Sequence, residues 1–422
     1  MPFRSASVYS FGMPKLAALG RPRPLWLLGP ALVAGVAYLD PGNVAANMTA
    51  GARFGYLLLW VVVLGNLMAW LIQYLSAKLG IVTGRSLPEV LGERFGSRAG
   101  RIAYWLQAEA VAMATDVAEV IGGAVALWLL FDIPLVAGGA ITGAISMALL
   151  WMQTRRGPKV FEVVVTGLLV VIAVGFTAGV VVAPPGAEAL GGLVPRFEGP
   201  DTVLLAASIL GATVMPHAIY AHSSLTRDRF QHRERDGLAI PRLLRATRWD
   251  VSIALAIAGT VNVAILVLAA ANLAGVEGTD SLEGAHAAIG AALGAGIATL
   301  FAVGLLASGL ASTAVGAYAG SEIMQGLVKV RVPVTTRRLV TLVPALVILA
   351  LGVDPTLALV LSQVVLSFGI PFALVPLVWL TSRRSVLGEH VNRWWTTALG
   401  ALFALALVTL NVLLLILTLT GA

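Results

Sequence analysis

The chain has 422 residues, of which 58% are hydrophobic and only 12% charged, with a mean hydropathy of +0.90 and a formal net charge of +7. That charge fraction is about half that of soluble globular domains, which excludes an ordinary soluble protein and makes the chain one integral membrane body. It holds no cysteine, so a disulfide framework and a thiolate metal site are both excluded, and any soft metal ligand must be Met or His.

Residues 1–24 carry Arg4, Lys15, Arg21 and Arg23 without an apolar core and cleavage site, and read as a basic cytoplasmic tail rather than a signal peptide. Apolar spans follow near 25–48, 56–77, 102–131, 134–152, 160–183, 202–226, 249–273, 296–327, 336–353, 355–381 and 394–420. Each is close to or above the ~20 apolar residues needed to cross a bilayer. Short connections such as Phe131-Asp132-Ile133-Pro134 join neighbours, and the longest inner loop is predicted at about Arg227–Arg248. With the N-terminus in the cytoplasm and strict alternation, inner segments hold 26 of the 28 Lys and Arg residues, leaving only Arg53 and Arg196 outside. The positive-inside rule therefore fixes the orientation, supports an odd count of eleven helices and places the C-terminus outside. The basic character is topological and implies a lipid bilayer, not a nucleic acid, as partner.

Two spans are broken at the middle. The first contains Asp40-Pro41-Gly42-Asn43 and the sixth contains Met215-Pro216-His217. Lipid offers no hydrogen bonds, so an interrupted helix at that depth must line a protein-enclosed cavity. The two prolines are 175 residues apart with five spans per unit, and an odd unit inverts the second copy relative to the first. The expected organisation is a first inverted repeat over 25–183, a second over 202–381 and an added helix over 394–420. Paired breaks in such repeats mark the binding site of a secondary transporter.

Each proline lacks the N–H that would bond the carbonyl four residues earlier, which orphans the carbonyls of Ala37 and Ala212. The preceding residues, Asp40 and Met215, are driven out of helical geometry, and Gly42 loosens the first break further. Together the breaks offer a carboxylate (Asp40), an amide oxygen (Asn43), a thioether (Met215), an imidazole (His217) and two carbonyls. Hard oxygens with one soft sulfur suit a first-row divalent ion better than Mg²⁺ or Ca²⁺. Taken singly, Met215 also reads as lipid-facing filler and His217 as a packing residue; the pairing of the breaks carries the functional reading. Elsewhere, the run Ala307–Gly320 is rich in small residues that permit close helix packing.

These two motifs resemble the signatures of the Nramp (natural resistance-associated macrophage protein) family, bacterial type. The likeness extends from about Leu25 to the last helix and includes Gly55-Tyr56, Gln107-Ala108-Glu109, Ala114-Thr115-Asp116 and the Phe372–Pro376 stretch. The resemblance implies an all-α membrane protein of the leucine-transporter (LeuT) fold that moves Mn²⁺ and Fe²⁺, with Cd²⁺ and Co²⁺ plausible, together with protons. It implies Asp40, Asn43 and Met215 as metal ligands, assisted by the carbonyls of Ala37 and Ala212, and Gln363 as a side chain that approaches the metal. The alternative for Gln363 is an interhelical hydrogen bond. Met215, absent from a Mg²⁺-handling branch of the superfamily, favours transition metals.

Acids inside a membrane are costly and mark function. In the third span Glu109, Asp116 and Glu119 recur at spacings of seven and three, on one helical face. By resemblance these acids, with Arg337 and Arg338 of the ninth span and His217 near the start, form a proton route; the alternative is that pairs such as Asp116–Arg338 tie helices together. Glu322 and Asp250 receive no role. The expected function is proton-coupled import of divalent metals at a prokaryotic cell membrane by alternating access. The rivals are an ion-coupled amino-acid or organic-solute transporter of the same fold and a passive divalent-metal channel. An enzyme is disfavoured, since there is no HExxH helix, no Gly-x-Ser-x-Gly elbow and no P-loop. No permanent cofactor is implied. Oligomeric state is not set by the sequence; one chain holds both repeats, so a monomer suffices.

Overall fold

The computed structural model describes residues 29–156, 158–231, 237–330 and 332–420. The predicted tail over 1–24 and the first residues of the first span lie outside the described residues. Every regular element among those described is helical: α1 (Pro30–Val36), α2 (Pro41–Phe54), α3 (Leu59–Thr83), α4 (Leu87–Arg94), α5 (Arg98–Phe131), α6 (Leu135–Arg156), α7 (Pro158–Val182) and α8 (Pro200–Thr213). They continue as α9 (Pro216–Phe230), α10 (Ile240–Asn272), α11 (Leu282–Leu293), α12 (Ala295–Val328), α13 (Val334–Ala350), α14 (Pro355–Thr381), α15 (Arg384–Leu387) and α16 (Trp394–Thr420).

Nine stretches among the described residues are long and apolar enough to cross a bilayer, counting α8 and α9 as one. The other two predicted spans take shorter forms. The first is split into α1 and α2, and the ninth is the 17-residue α13 with Pro344 inside it.

Helix ends depart from the hydropathy reading where charge enters a helix that nevertheless continues. Helix α10 begins at Ile240 rather than near 249, and α9 runs to Phe230, so most of the predicted inner loop is helical. Arg242, Arg245 and Arg248 recur every third residue on an exposed face while Leu243, Thr247 and Asp250 are buried. This amphipathic turn ends an apolar window without ending the helix. Likewise α3 runs to Thr83, and its Lys78 donates to Asn392 Oδ1 at 2.8 Å. Helix α4, read from sequence as connection, is started by a capping box in which Ser86 and Glu89 each satisfy the other's backbone N–H.

The two repeats appear in the packing. The second half of the first broken span, α2, packs on α10, and its counterpart α9 packs on α3; the first halves match as well, α8 lying on α14 and α1 on α7. Helices α5 and α12, the third span of each repeat, pack against each other most extensively. Small residues allow this: a side chain at Gly309 would meet the Glu119 carbonyl at 3.0 Å. The broken spans sit at the centre. The most apolar window of α8–α9 is 94% buried within the chain, whereas that of α16 is 28% buried and faces outward.

Candidate metal centre and ion chain

Both breaks follow from their prolines. After α1 the chain makes one 3-10 turn (Ala37–Leu39), then Asp40 takes an extended conformation (φ −70°, ψ 164°) and caps α2. At the second break Met215 is extended too (φ −48°, ψ 120°) before Pro216 opens α9. The backbone acceptors freed by unwinding are met from neighbouring helices: Asn262 donates to the Tyr38 carbonyl at 2.9 Å, and the Ser308 hydroxyl donates to that of Leu39. Both proline rings pack closely against a glycine of a neighbouring helix. A Cβ at Gly122 of α5 would lie 2.1 Å from Pro41, and one at Gly369 of α14 would lie 3.2 Å from Pro216.

One amide joins the two breaks. Asn43 Nδ2 donates to Asp40 Oδ1 at 2.8 Å and to the Ala212 carbonyl at 2.9 Å, bridging α2 to the end of α8. Asp40 Oδ1 also accepts the Asn43 backbone N–H at 2.9 Å, and Asp40 Oδ2 accepts Gln363 Nε2 of α14 at 3.2 Å. Asp40, Asn43, Ala37, Ala212, Met215 and Gln363 are all fully buried. The structure thus gathers Asp40, Asn43, Ala212 and Gln363 through direct hydrogen bonds, and sets Met215 at the facing break three residues beyond Ala212. Gly42 is close to the same glutamine, since a Cβ there would overlap Gln363 Nε2.

The unpaired atoms point to a cation. Asn43 Oδ1 and Gln363 Oε1 are buried without a hydrogen-bond partner, although both belong to amides whose nitrogens face Asp40. Orphaned buried acceptors are rare and costly. Each amide presents N–H groups to a bare carboxylate. Turned over, each would add an oxygen beside Asp40, producing an oxygen-rich set of the kind that holds a divalent cation. Among the described residues no group of three or more His, Asp or Glu side chains is placed to hold a metal, so the set depends on a single carboxylate.

The acids of α5 and the arginines of α13 are drawn together between those two helices. Arg338 of α13, fully buried, holds Asp116 Oδ1 at 2.7 Å and Glu119 Oε2 at 3.4 Å, and donates to Ser146 Oγ and Thr313 Oγ1 at 3.1 and 3.2 Å. Arg337 pairs with Glu109 at 2.8 Å. His217 joins from α9, with Nδ1 3.2 Å from the Thr115 hydroxyl, one residue before Asp116. Glu119 Oε1 has no partner.

Sequence reasoning missed three polar clusters. Asp250 of α10 accepts the backbone N–H groups of Gly29 and Ala31 at 3.1 and 2.9 Å, capping α1. A buried chain runs from the Tyr38 hydroxyl through Gln73 to His222, whose Nδ1 is 2.7 Å from Gln73 Oε1. Where α4, α9 and α12 meet, Arg227 contacts Glu89, Asp228 and Glu322, each within 2.9 Å. Burial opposes ionisation of the Glu89 carboxyl, but the Ser86 backbone and Arg227 outweigh it and hold its pKa below the usual value. The available signal was one of kind: a lone Asp, Gln or His within an apolar span announces a partner without saying which one.

A family model described as "Natural resistance-associated macrophage protein-like" matches residues 31–417. The chain is 62% identical over 397 residues to the divalent metal cation transporter MntH of Mycobacterium tuberculosis, covering 94% of this chain and 92% of that one. It is 46% identical over 393 residues to MntH of Bacillus subtilis, covering 92% and 91%. Among solved structures, the Eremococcus coleocola manganese transporter superposes with a TM-score of 0.82 at 33% identity, over 92% of this chain and 86% of that one. MhsT, crystallised with L-phenylalanine, superposes with a TM-score of 0.61 at 14% identity, a likeness of fold alone.

Proposed function

The chain belongs to the Nramp family, and from that premise we propose that it imports divalent transition-metal ions, Mn²⁺ foremost and Fe²⁺ with it, in symport with protons. The observation that carries this reading is Asp40 held between two buried amides, Asn43 and Gln363, that each leave an oxygen unpaired, with the Ala212 carbonyl in the same bonded group. An entering ion exchanges most of its water for Asp40, the carbonyls of Ala37 and Ala212, and the turned amides. The Met215 thioether discriminates against Mg²⁺ and Ca²⁺, which seek oxygen alone. Rocking of the broken spans about Pro41 and Pro216 then opens the site inward. The proton travels separately, from His217 through Asp116, Glu119 and Glu109 along the arginine pair. The setting is a prokaryotic cell membrane with the N-terminus inside, as the basic residues suggest.

An amino-acid carrier of this fold would meet its substrate carboxylate with half-helix N-termini, and Asp40 at the first of these repels an anion. A channel would carry metal without regard to the pH gradient. The deciding experiment is Mn²⁺ uptake into proteoliposomes containing a pH-sensitive dye, with Asp40→Asn alongside. Uptake with internal acidification, abolished in the variant, is expected. Metal flux without acidification overturns the coupling, and near-normal Mn²⁺ binding by the variant in calorimetry overturns the site.

A further inference from the structure

A second binding feature lies outside the transport path, at the inner end of α14. An open groove of about 330 Å³ is lined by Leu91, Arg94 and Phe95 on one side and Val375, Pro376 and Trp379 on the other. Its α14 wall faces outward: Val375 is 49% and Trp379 43% exposed. Two arginines share one indole there, the guanidinium carbons of Arg94 and Arg383 lying 5.2 and 5.1 Å from the Trp379 ring centroid. Among the described residues neither arginine has a carboxylate within ion-pair distance, and Glu93 beside Arg94 is taken by Arg85 at 2.5 Å. Two like charges against one ring repel each other, and an anion between them offsets that repulsion. By the distribution of basic residues this end of the chain meets the inner membrane surface, where tryptophans collect at the headgroup level.

We propose that this groove binds an anionic phospholipid, with the phosphate between Arg94 and Arg383 and an acyl chain along Leu91, Phe95 and Val375. The occupant is set by complementarity. Guanidinium pairs select phosphate, the trough is apolar and opens toward lipid, and basic pockets at the cytoplasmic side of spanning helices bind anionic headgroups. The site reaches the transport helices through few steps. Phe95 packs on Tyr104 with ring centroids 5.2 Å apart. The Tyr104 hydroxyl donates to the Phe372 carbonyl, the acceptor that Pro376 releases in α14, and meets the Tyr220 hydroxyl of α9 at 2.8 Å. A bound lipid therefore clamps α4 to the helix that carries Gln363. This inference does not depend on which ion is carried.

The test is native mass spectrometry of the full chain released from micelles doped with phosphatidylglycerol or phosphatidylcholine. Wild type is expected to retain phosphatidylglycerol in preference. Arg94→Gln with Arg383→Gln is expected to lose that retention on the order of tenfold, the scale of two arginines near an anionic surface. Arg245→Gln with Lys329→Gln, exposed basic positions at the same membrane face, is expected to leave it unchanged. Val375→Trp, which fills the exposed trough and leaves both arginines in place, is expected to lose it too. Retention unaltered in the Arg94/Arg383 variant or in Val375→Trp overturns the site, as does equal loss in the Arg245/Lys329 variant, which would mean diffuse charge alone.

Discussion

Replacing Gly122 by Ala tests how tightly the first break is held. The added Cβ would lie 2.1 Å from Pro41 Cβ and 2.3 Å from its Cγ, where ordinary contact begins at 3.4 Å, so the ring and α5 must separate by more than 1 Å. A proline ring fused to the backbone cannot swing away as a side chain would. Overpacking of this kind costs typically ~1–3 kcal/mol, partly offset by up to ~1 kcal/mol from the better helix propensity of Ala. The variant should therefore fold with a modestly lower melting temperature. The larger effect falls on the neighbouring residue. Asp40 keeps its partners at 2.8–3.2 Å, and a displacement near 1 Å takes them past hydrogen-bonding distance. Mn²⁺ affinity measured by calorimetry should fall about tenfold or more, equivalent to ~1.4 kcal/mol or more. Gly167→Ala on α7 is the control, since nothing lies within 4 Å of its added Cβ, and it should bind as wild type does. A folded Gly122→Ala protein with wild-type affinity would refute the rigid coupling of Pro41 to the site.

Met215→Ala should leave Mn²⁺ uptake partly intact while Ca²⁺ competes at about tenfold lower concentration; unchanged competition in proteoliposomes would remove the thioether from selectivity. Arg338→Met strands the buried acids Asp116 and Glu119, a loss of roughly 3–5 kcal/mol that thermal unfolding should register; adding Asp116→Asn should recover part of it. Asp116→Asn alone should separate metal flux from acidification, and full retention of coupled acidification would reduce that residue to a structural role.

The breaks were legible because proline acts locally. The missing N–H, the extended preceding residue and the orphaned carbonyl four positions back are all fixed by the chain itself, and Asp40, Met215 and Ala212 take the places this dictates. The spacing of Glu109, Asp116 and Glu119 likewise placed them on one face, and Arg337 and Arg338 meet them there. Contacts that join distant segments were not legible in the same way. Gln363 reaches Asp40 across 323 residues and was anticipated only through family resemblance. Asp250, which caps α1 from 219 residues away, received no role from the sequence. Helix ends were misjudged for a related reason: hydropathy registers the arginines at the start of α10 but not the buried face beneath them.

Helix α14 carries two internal prolines, and both acceptors they strand are met from outside: Phe372 by Tyr104, and Ser367 by Asn411 of α16, at 2.8 Å. The Ser367 hydroxyl returns the favour, donating to Asn411 Oδ1 at 2.8 Å. The last helix, which stands apart from the duplicated architecture, is thus a brace for a member of it. A chain shortened to end before Trp394 would leave the Ser367 carbonyl without its donor, so the appendage is bound into the working core by a reciprocal clasp as well as by its apolar packing on α8.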